Sequence, residues 1–193
     1  MAGQDDDFDQ LLKASNLQLT EARRSAAGWI KDKIKSLRGD RRVPQTKIFQ
    51  KNSVPEIGGM YLFHYDPKHK KTLPFWDAYP LVIPIEYYSD GFLGINLHYL
   101  PELARIALLK QLASNTNNDK YDKTTRMNVS YRMLKGMAIK LSGQNGIIKR
   151  YLFSHARSTF HQVAPSEWNQ AAMLPLQRWV QNSNPKLRQQ PPY

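Results

Sequence analysis

Three short apolar runs follow one another in the centre of the chain, between Ile57 and Pro101. They span Met60 to Tyr65, Tyr79 to Tyr88 and Phe92 to Tyr99, and residues with turn chemistry separate them. Short apolar runs bounded in this way are typical of β-strands. The pattern therefore predicts an antiparallel meander in which each strand pairs with the next.

The connections and the prolines refine this prediction. Asp66-Pro67 begins the first connection with an Asp that can bond its own backbone and a Pro whose φ suits a turn. In the second connection, Asp90-Gly91 is expected to supply the positive φ of a tight hairpin. Pro80 and Pro84 lack the N–H group that a strand ladder needs. The middle run is therefore expected to be an edge strand, a bulged strand or a partly irregular one.

Helical periodicity appears on both sides of this centre. Between Leu17 and about Leu37 apolar residues recur every three or four positions, which predicts an amphipathic helix closed by Gly39. The helix either docks through its apolar face and leaves a solvated basic side, or turns that basic side towards phosphates. Further helices are expected from Pro101 onwards, over most of Thr124 to Leu141, from Ile147 to Phe160, and after Ser166 as an N-cap.

These elements indicate the α+β class: a small antiparallel β-meander packed against three or four helices, with an N-terminal basic helical arm. Four segments are expected along the chain. They are an acidic flexible leader (1–16), the basic helical arm and linker (17–56), an α+β core domain (57–180) and a flexible tail rich in Pro and Gln (181–193).

Composition narrows the class of protein. The chain has 193 residues, of which 41% are hydrophobic, enough for one domain with a substantial core. It contains no cysteine, which excludes disulfides and thiolate metal sites and fits a reducing compartment. No apolar run approaches the roughly 20 residues of a membrane span. A soluble protein with no membrane partner is expected.

Charge is the strongest global signal. The net charge is +12, and such an excess favours polyanions, above all nucleic acid. Residues 11–57 hold eleven Lys or Arg against four acids, and residues 105–150 hold ten against two. The intervening aromatic region, 58–104, holds three against five. Two basic segments thus bracket a nearly neutral centre, either to contact nucleic acid or to dock on acidic protein subunits.

Candidate binding residues follow from this distribution. Lys and Arg contact phosphates, and aromatic rings can stack on unpaired bases, although rings in a small sheet also simply fill its core. Among the aromatic residues Trp76 stands apart, because it lies in a connector that begins with Pro74 and where a large ring is harder to bury. The predicted nucleic-acid-binding residues are Arg23, Arg24, Lys31, Lys35, Arg38, Arg41, Arg42, Lys47, Lys51, Lys68, Lys70, Lys71 and Trp76.

No set of residues predicts catalysis, a cofactor or a metal. His64, Asp66 and His69 lie close enough in the first hairpin to look like a metal cluster, but a turn Asp with two exposed His residues explains them without a metal. A nuclease centre would need an acid-x-Lys pair after Asp77, and Glu86 is followed by two tyrosines instead. Phosphate-binding loops and nucleophile elbows are also missing from the sequence.

Several stretches resemble a family of DNA end protector proteins from large contractile-tailed bacteriophages (myoviruses). The likeness covers roughly Gly58 to Leu176. The stretches are Gly59 to Lys68, Leu73 to Val82, Asp90 to Pro101, Lys120-Tyr121-Asp122-x-Thr124-Thr125 and Pro165-Ser166-Glu167-Trp168.

The resemblance implies a non-catalytic virion protein, assembled in the cytoplasm of the host bacterium, that binds and shields the ends of the packaged linear DNA in the head or neck. Its implied partners are linear double-stranded DNA ends and other virion proteins, such as portal, neck or tail components. The alternative is a structural neck, tail or baseplate subunit that docks on other virion proteins. A degenerate nuclease ranks third.

Overall fold

The computed structural model describes residues 8–11, 13–39, 54–116, 130–136, 147–174 and 180–181, with only the backbone at 39, 75, 116, 180 and 181. Within this part of the chain, residues 8–11 and 130–136 are helical, and three further helices are α1 (Asn16–Gly39), α2 (Glu102–Thr116) and α3 (Trp168–Ala172). The strands are β1 (Met60–Leu62), β2 (Phe75–Trp76), β3 (Leu81–Tyr88), β4 (Gly91–Asn96), β5 (Ile148–Leu152), β6 (His161–Val163) and β7 (Val180–Gln181). Short 3₁₀ turns follow β4, follow β5 and precede α3.

Five strands form one antiparallel sheet in the order β5-β4-β3-β1-β6. The predicted meander is present as β1, β3 and β4, and β5 extends it on one side while β6 pairs with the other side of β1. Strands β2 and β7 form a separate two-stranded sheet. The predicted α+β class is confirmed.

Strand β3 resolves the alternatives that its prolines left open. It lies inside the sheet between β1 and β4, so the edge-strand alternative is wrong. Its register with β4 shifts between Pro84 and Glu86, as a bulged strand requires. Proline is tolerated in this interior strand because the bulge interrupts the ladder there.

The β3–β4 hairpin is tight, with Tyr88 opposite Gly91, but the predicted reason for the glycine is wrong. Among the described residues positive φ occurs at Gly58 (83°), not at Gly91. A Cβ atom at Gly91 would lie 2.1 Å from the carbonyl oxygen of Tyr151. The glycine is therefore needed because β5 approaches the start of β4 so closely.

The two faces of the sheet carry different clusters, because successive strand residues point to opposite sides. One face packs against the helices. The cluster formed there includes the strand residues Met60, Leu62, Leu81, Ile83 and Ile95 and the helix residues Ile106, Leu109, Leu112 and Trp168. The other face carries an aromatic cluster made of Tyr61, Phe63, Tyr65, Val82, Phe92 and Tyr151. Ring centroids within this second cluster lie 5.1–6.1 Å apart, mostly in edge-to-face pairs.

Helix α1 docks on the rest of the fold through its apolar face. Ala26, Ile30 and Leu37 are buried. The indole Nε1 of Trp29 donates to Glu167 at 2.9 Å, which ties α1 to the turn before α3. Residues 8–11, expected within the leader, also pack inward, since Phe8 is fully buried.

The predicted helix from Ile147 to Phe160 is wrong, because this segment forms β5, a 3₁₀ turn and an extended approach to β6. Ile147 and Tyr151 are buried while Arg150 is exposed, and Tyr151 pairs with Phe92. Pairing with β4 outweighs the helical spacing of the sequence. Ser166 is not an N-cap either, since it lies inside a 3₁₀ turn without a side-chain cap bond.

Two other predicted segments lie only partly within the described residues. The helix expected over Thr124 to Leu141 is described at 130–136 only, where the backbone is helical. Most of the predicted tail, from residue 182 onwards, lies outside the described residues. Within the described ranges, no helix has the length and apolarity needed to cross a membrane.

We expect Gly91→Ala to lower the free energy of unfolding by about 1–3 kcal/mol, because the added methyl group would force β5 away from the hairpin. Urea unfolding measures this change. The matched control is Gly28→Ala in α1, where a Cβ meets nothing within 4 Å. There the same substitution should raise stability by about 0.5–1 kcal/mol. Equal effects at both positions would contradict the close approach of β5.

Candidate nucleic-acid interface

A cavity of about 660 Å³ lies between the edge strand β5, the end of β4 and the connection that runs from β1 to β3. We call it the β5 cavity. It is lined by Tyr65, residues 67–69, 73–74 and 76–77, and by Asp90, Asn96, Tyr99 and residues 149–152. Cavities of this volume are typical of binding sites for small molecules.

The β5 cavity contains the one aromatic residue that the sequence set apart. Trp76 is half-buried and forms part of the lining, next to Pro74 and Leu73. In contrast, Tyr61 and Phe63 are buried in the aromatic cluster. The rings of Tyr61 and Phe63 thus fill the core, whereas Trp76 is partly exposed and lines the cavity.

Lys149 brings a positive charge into the same cavity. Its Nζ lies 3.8 Å from the centroid of the Tyr99 ring, a cation–π contact. Burial lowers the pKa of Lys149 to about 8, although the negative charge of Asp77 acts in the opposite direction. Among the residues that the structure describes, no carboxylate forms a salt bridge with this ammonium group. A half-buried ammonium group that forms no salt bridge within the described ranges can bind an anion that enters the cavity.

A network of buried polar groups forms the floor of the cavity. Asp77 Oδ2 accepts a hydrogen bond from Asn96 Nδ2 at 3.1 Å and lies 2.7 Å from His98 Nδ1. Its Oδ1 accepts from the backbone N–H of Tyr79 at 3.0 Å. Asn96 Nδ2 also donates to the hydroxyl of Tyr151 at 3.0 Å. The network fixes the backbone beside Trp76 against β4 and β5.

A second cation lies at the rim. Arg150 Nη2 is 2.6 Å from Asp90 Oδ1, and its guanidinium lies 4.5 Å from the centroid of the Tyr88 ring. The hydrogen bond from Arg150 lowers the pKa of Asp90. Both side chains are about half exposed, and exposed ion pairs contribute little stability. Breaking this ion pair would therefore cost the fold little free energy.

A comparison with family models bears on this site. The family described as the phage T4 terminal DNA protecting protein matches residues 6–188. The chain belongs to this family. No curated protein and no solved structure matches the chain. The matched range is wider than the stretches that carried the resemblance in the sequence, because it also contains α1.

In this member of the terminal DNA protecting family, the predicted binding residues fall into several places. Lys68 and Trp76 line the β5 cavity. Lys70 pairs with Asp66 at 2.8 Å in the adjoining turn, where Lys71 is exposed. The described structure therefore brings only Lys68 and Trp76 of the predicted set into the cavity.

The predicted residues of α1 lie on another surface. Arg24, Lys31 and Lys35 are exposed. Arg23 Nη2 forms a salt bridge with Glu102 at 2.8 Å, which raises the pKa of Arg23 and lowers that of Glu102. The remaining predicted residues of the linker, which lie outside the described residues, are Arg41, Arg42, Lys47 and Lys51.

Arg38 links the two regions. Its Nε donates to the Tyr79 hydroxyl at 3.2 Å, and its guanidinium lies 5.6 Å from the Tyr79 ring centroid. Because the N–H of Tyr79 donates to Asp77, the end of α1 contacts the residue that helps to hold the cavity floor. The basic helix and the cavity are thus joined through Tyr79.

The three residues considered as a metal cluster are used in other ways. His64 stacks on Tyr79 with centroids 5.0 Å apart, Asp66 pairs with Lys70 and Arg157, and His69 is exposed at the cavity. Within the described ranges, no three acidic or histidine side chains are grouped to hold a metal ion.

Lys149, Arg150 and Tyr99 were missed at the level of sequence. The segment from Ile147 was predicted to be a helix, which would not place Lys149 beside the end of β4. The signal that was available is the alternation in Ile148 to Leu152, where Lys149 and Tyr151 share one side of a strand.

The lowered pKa of Lys149 makes stability depend on pH. Between pH 8 and about 10.5 the folded protein binds fewer protons at this site than the unfolded chain, so the free energy of unfolding should rise with pH in that window. Across this pH window the free energy of unfolding of the wild type should rise by about 2 kcal/mol more than that of Lys149→Arg, because arginine stays protonated. Urea unfolding at several pH values measures the difference. Parallel stability curves for the two proteins would contradict the burial of the ammonium group.

Proposed function

We propose that the protein binds the ends of linear double-stranded DNA in a phage particle and shields them from exonuclease, and that it does so by binding and not by catalysis. The observation that carries this proposal is the β5 cavity, where Lys149 has no salt-bridge partner among the described residues and shares the lining with Lys68 and Trp76. The family's description as a terminal DNA protecting protein supports it.

The chemistry of the cavity suits a DNA terminus of any sequence. Ammonium and guanidinium groups bind phosphates without reading bases. An accessible indole stacks on the face of any base, and an exposed base face occurs on duplex DNA at an end. The combination of Lys149 with Trp76 therefore favours an end over the interior of a duplex.

The exposed cations of α1 supply a second, less specific attraction. Arg24, Lys31 and Lys35 carry no salt bridge among the described residues, and they add to a net charge of +12. Such a surface raises the rate of encounter with DNA and the local affinity, both of which fall with salt. The linker residues Arg41, Arg42, Lys47 and Lys51 belong to the same proposal.

A catalytic role is not required by the site. Asp77, the acid closest to a nuclease-like position, has both carboxylate oxygens occupied by Asn96, His98 and a backbone N–H. These contacts hold the carboxylate in the floor of the cavity as a structural group. Protection by occupancy of the end agrees better with this arrangement.

A second candidate function is docking on other virion proteins in the head, neck or tail. The observation that favours it is the β3–β4 hairpin, where Tyr87 and Tyr88 are 42% and 39% exposed. Tyrosine is enriched at protein interfaces. We propose portal, neck or tail components as partners, in addition to DNA.

We expect the full-length protein to slow exonuclease digestion of linear duplex DNA at near-physiological salt and to bind closed circular DNA much more weakly. The double variant Lys68→Gln, Lys149→Gln should lose protection by about tenfold or more, because it removes two phosphate contacts from the cavity. The matched control, Lys13→Gln with Lys135→Gln, removes the same charge at exposed positions outside the cavity.

The outcomes separate the proposals. Equal binding to linear and circular DNA, with equal losses in both double variants, would reduce the interaction to generic charge attraction and refute end recognition. An absence of binding to either DNA would leave docking on virion proteins as the better account.

A further inference from the structure

The volume and the lining of the β5 cavity indicate what it can hold. Its volume of about 660 Å³ lies in the range of small-molecule pockets. A terminal base pair carries two bases, two sugars and two backbones, and the major groove beside it is already about 12 Å wide. A single nucleotide lies within this range, and a paired end would bring a second nucleotide with its own backbone.

The lining offers separate places for the two parts of a nucleotide. Leu73, Pro74 and Trp76 form an apolar wall, and stacking on an aromatic ring is the usual way in which proteins hold an unpaired base. Lys68 and Lys149 contribute cationic groups to the same lining, which suit a phosphate. Neither set alone would specify a nucleotide.

The wall that carries the indole is held in place. Trp76 pairs with Val180 in the β2–β7 sheet, and the next residue, Asp77, is anchored by three polar contacts. A stacking ring on a fixed backbone loses little freedom when a base binds. The site is therefore built before the ligand arrives.

We propose that the β5 cavity takes a single unpaired terminal nucleotide of the DNA, with its base stacked on Trp76 and its phosphate bound by Lys149 and Lys68. This inference rests on the proposed function and makes it more specific. The protein holds a frayed or overhanging end, and a blunt end must first open its last base pair. Opening costs free energy, so an end with an unpaired nucleotide binds more tightly than a blunt one.

The test uses the full-length protein and DNA hairpins with one free end, either blunt or carrying a one-nucleotide overhang with or without a terminal phosphate. The overhanging base is 2-aminopurine, whose fluorescence falls when it stacks. We expect the phosphorylated overhang to bind about tenfold more tightly than the blunt end, since one stacked base is worth about that factor. Both 5′ and 3′ overhangs are measured, and preference for either one supports the proposal.

Variants test which residue holds the base of the nucleotide and which holds its phosphate. Trp76→Ala should abolish the quenching, and Trp76→Phe should restore part of it because a ring is present again. Lys149→Gln should remove the dependence on the terminal phosphate while leaving the quenching, and Lys135→Gln, at an exposed position outside the cavity, should change neither. Urea unfolding midpoints equal to wild type show that each variant is folded, and Trp76→Phe carries the test if Trp76→Ala does not fold.

Equal affinity for blunt and overhanging ends, with no quenching that depends on Trp76, would overturn the inference. If linear DNA is still protected in that case, the proposed function stands and the end is held elsewhere. If linear DNA is not protected at all, the proposed function itself fails, so the two failures are distinguishable.

Discussion

The buried carboxylate of Asp77 is the group on which the arrangement of the site depends. It lies between the short strand β2 and the end of β4, and its partners come from both sides: the N–H of Tyr79, the amide of Asn96 and the ring of His98. A buried carboxyl group is costly unless it is hydrogen-bonded, so these contacts constrain the backbone strongly. Through Asn96 the same constraint reaches Tyr151 on β5. The cavity, the last turn of α1 and the edge of the sheet thus share one polar centre.

The local pattern of the sequence predicted much of the fold, because the relevant signals are short-range. The period of Ala26, Ile30 and Leu37 identified α1, and Asp90-Gly91 identified the hairpin even though the role of Gly91 is steric. The strand at Ile148 to Leu152 was not predicted, because its conformation is set by pairing with β4, which lies far away in the chain. Long-range pairing of this kind outweighs local propensity and is invisible to periodicity.

The site could be predicted only in part for the same reason. Trp76 and Lys68 were identified because a connector begins at Pro74 and a turn at Pro67, which are local features. Lys149 depends on the position of β5, and Asp77 was considered only as a possible metal ligand. Charge counts could not show which exposed cations form an ion pair, as Arg23 does with Glu102, and which have no salt bridge among the described residues, as Lys31 on α1.

The pairing of β2 with β7 determines at which stage of folding the cavity can form. Phe75 and Trp76 pair with Gln181 and Val180, which lie far away in the sequence. This small sheet therefore closes a very long loop. Closing long loops is slow and comes late in folding, after the local hairpins have formed. A nascent chain that ends before Val180 lacks the strand that pairs with Trp76. The wall of the cavity is therefore completed only once Val180 and Gln181 have been made.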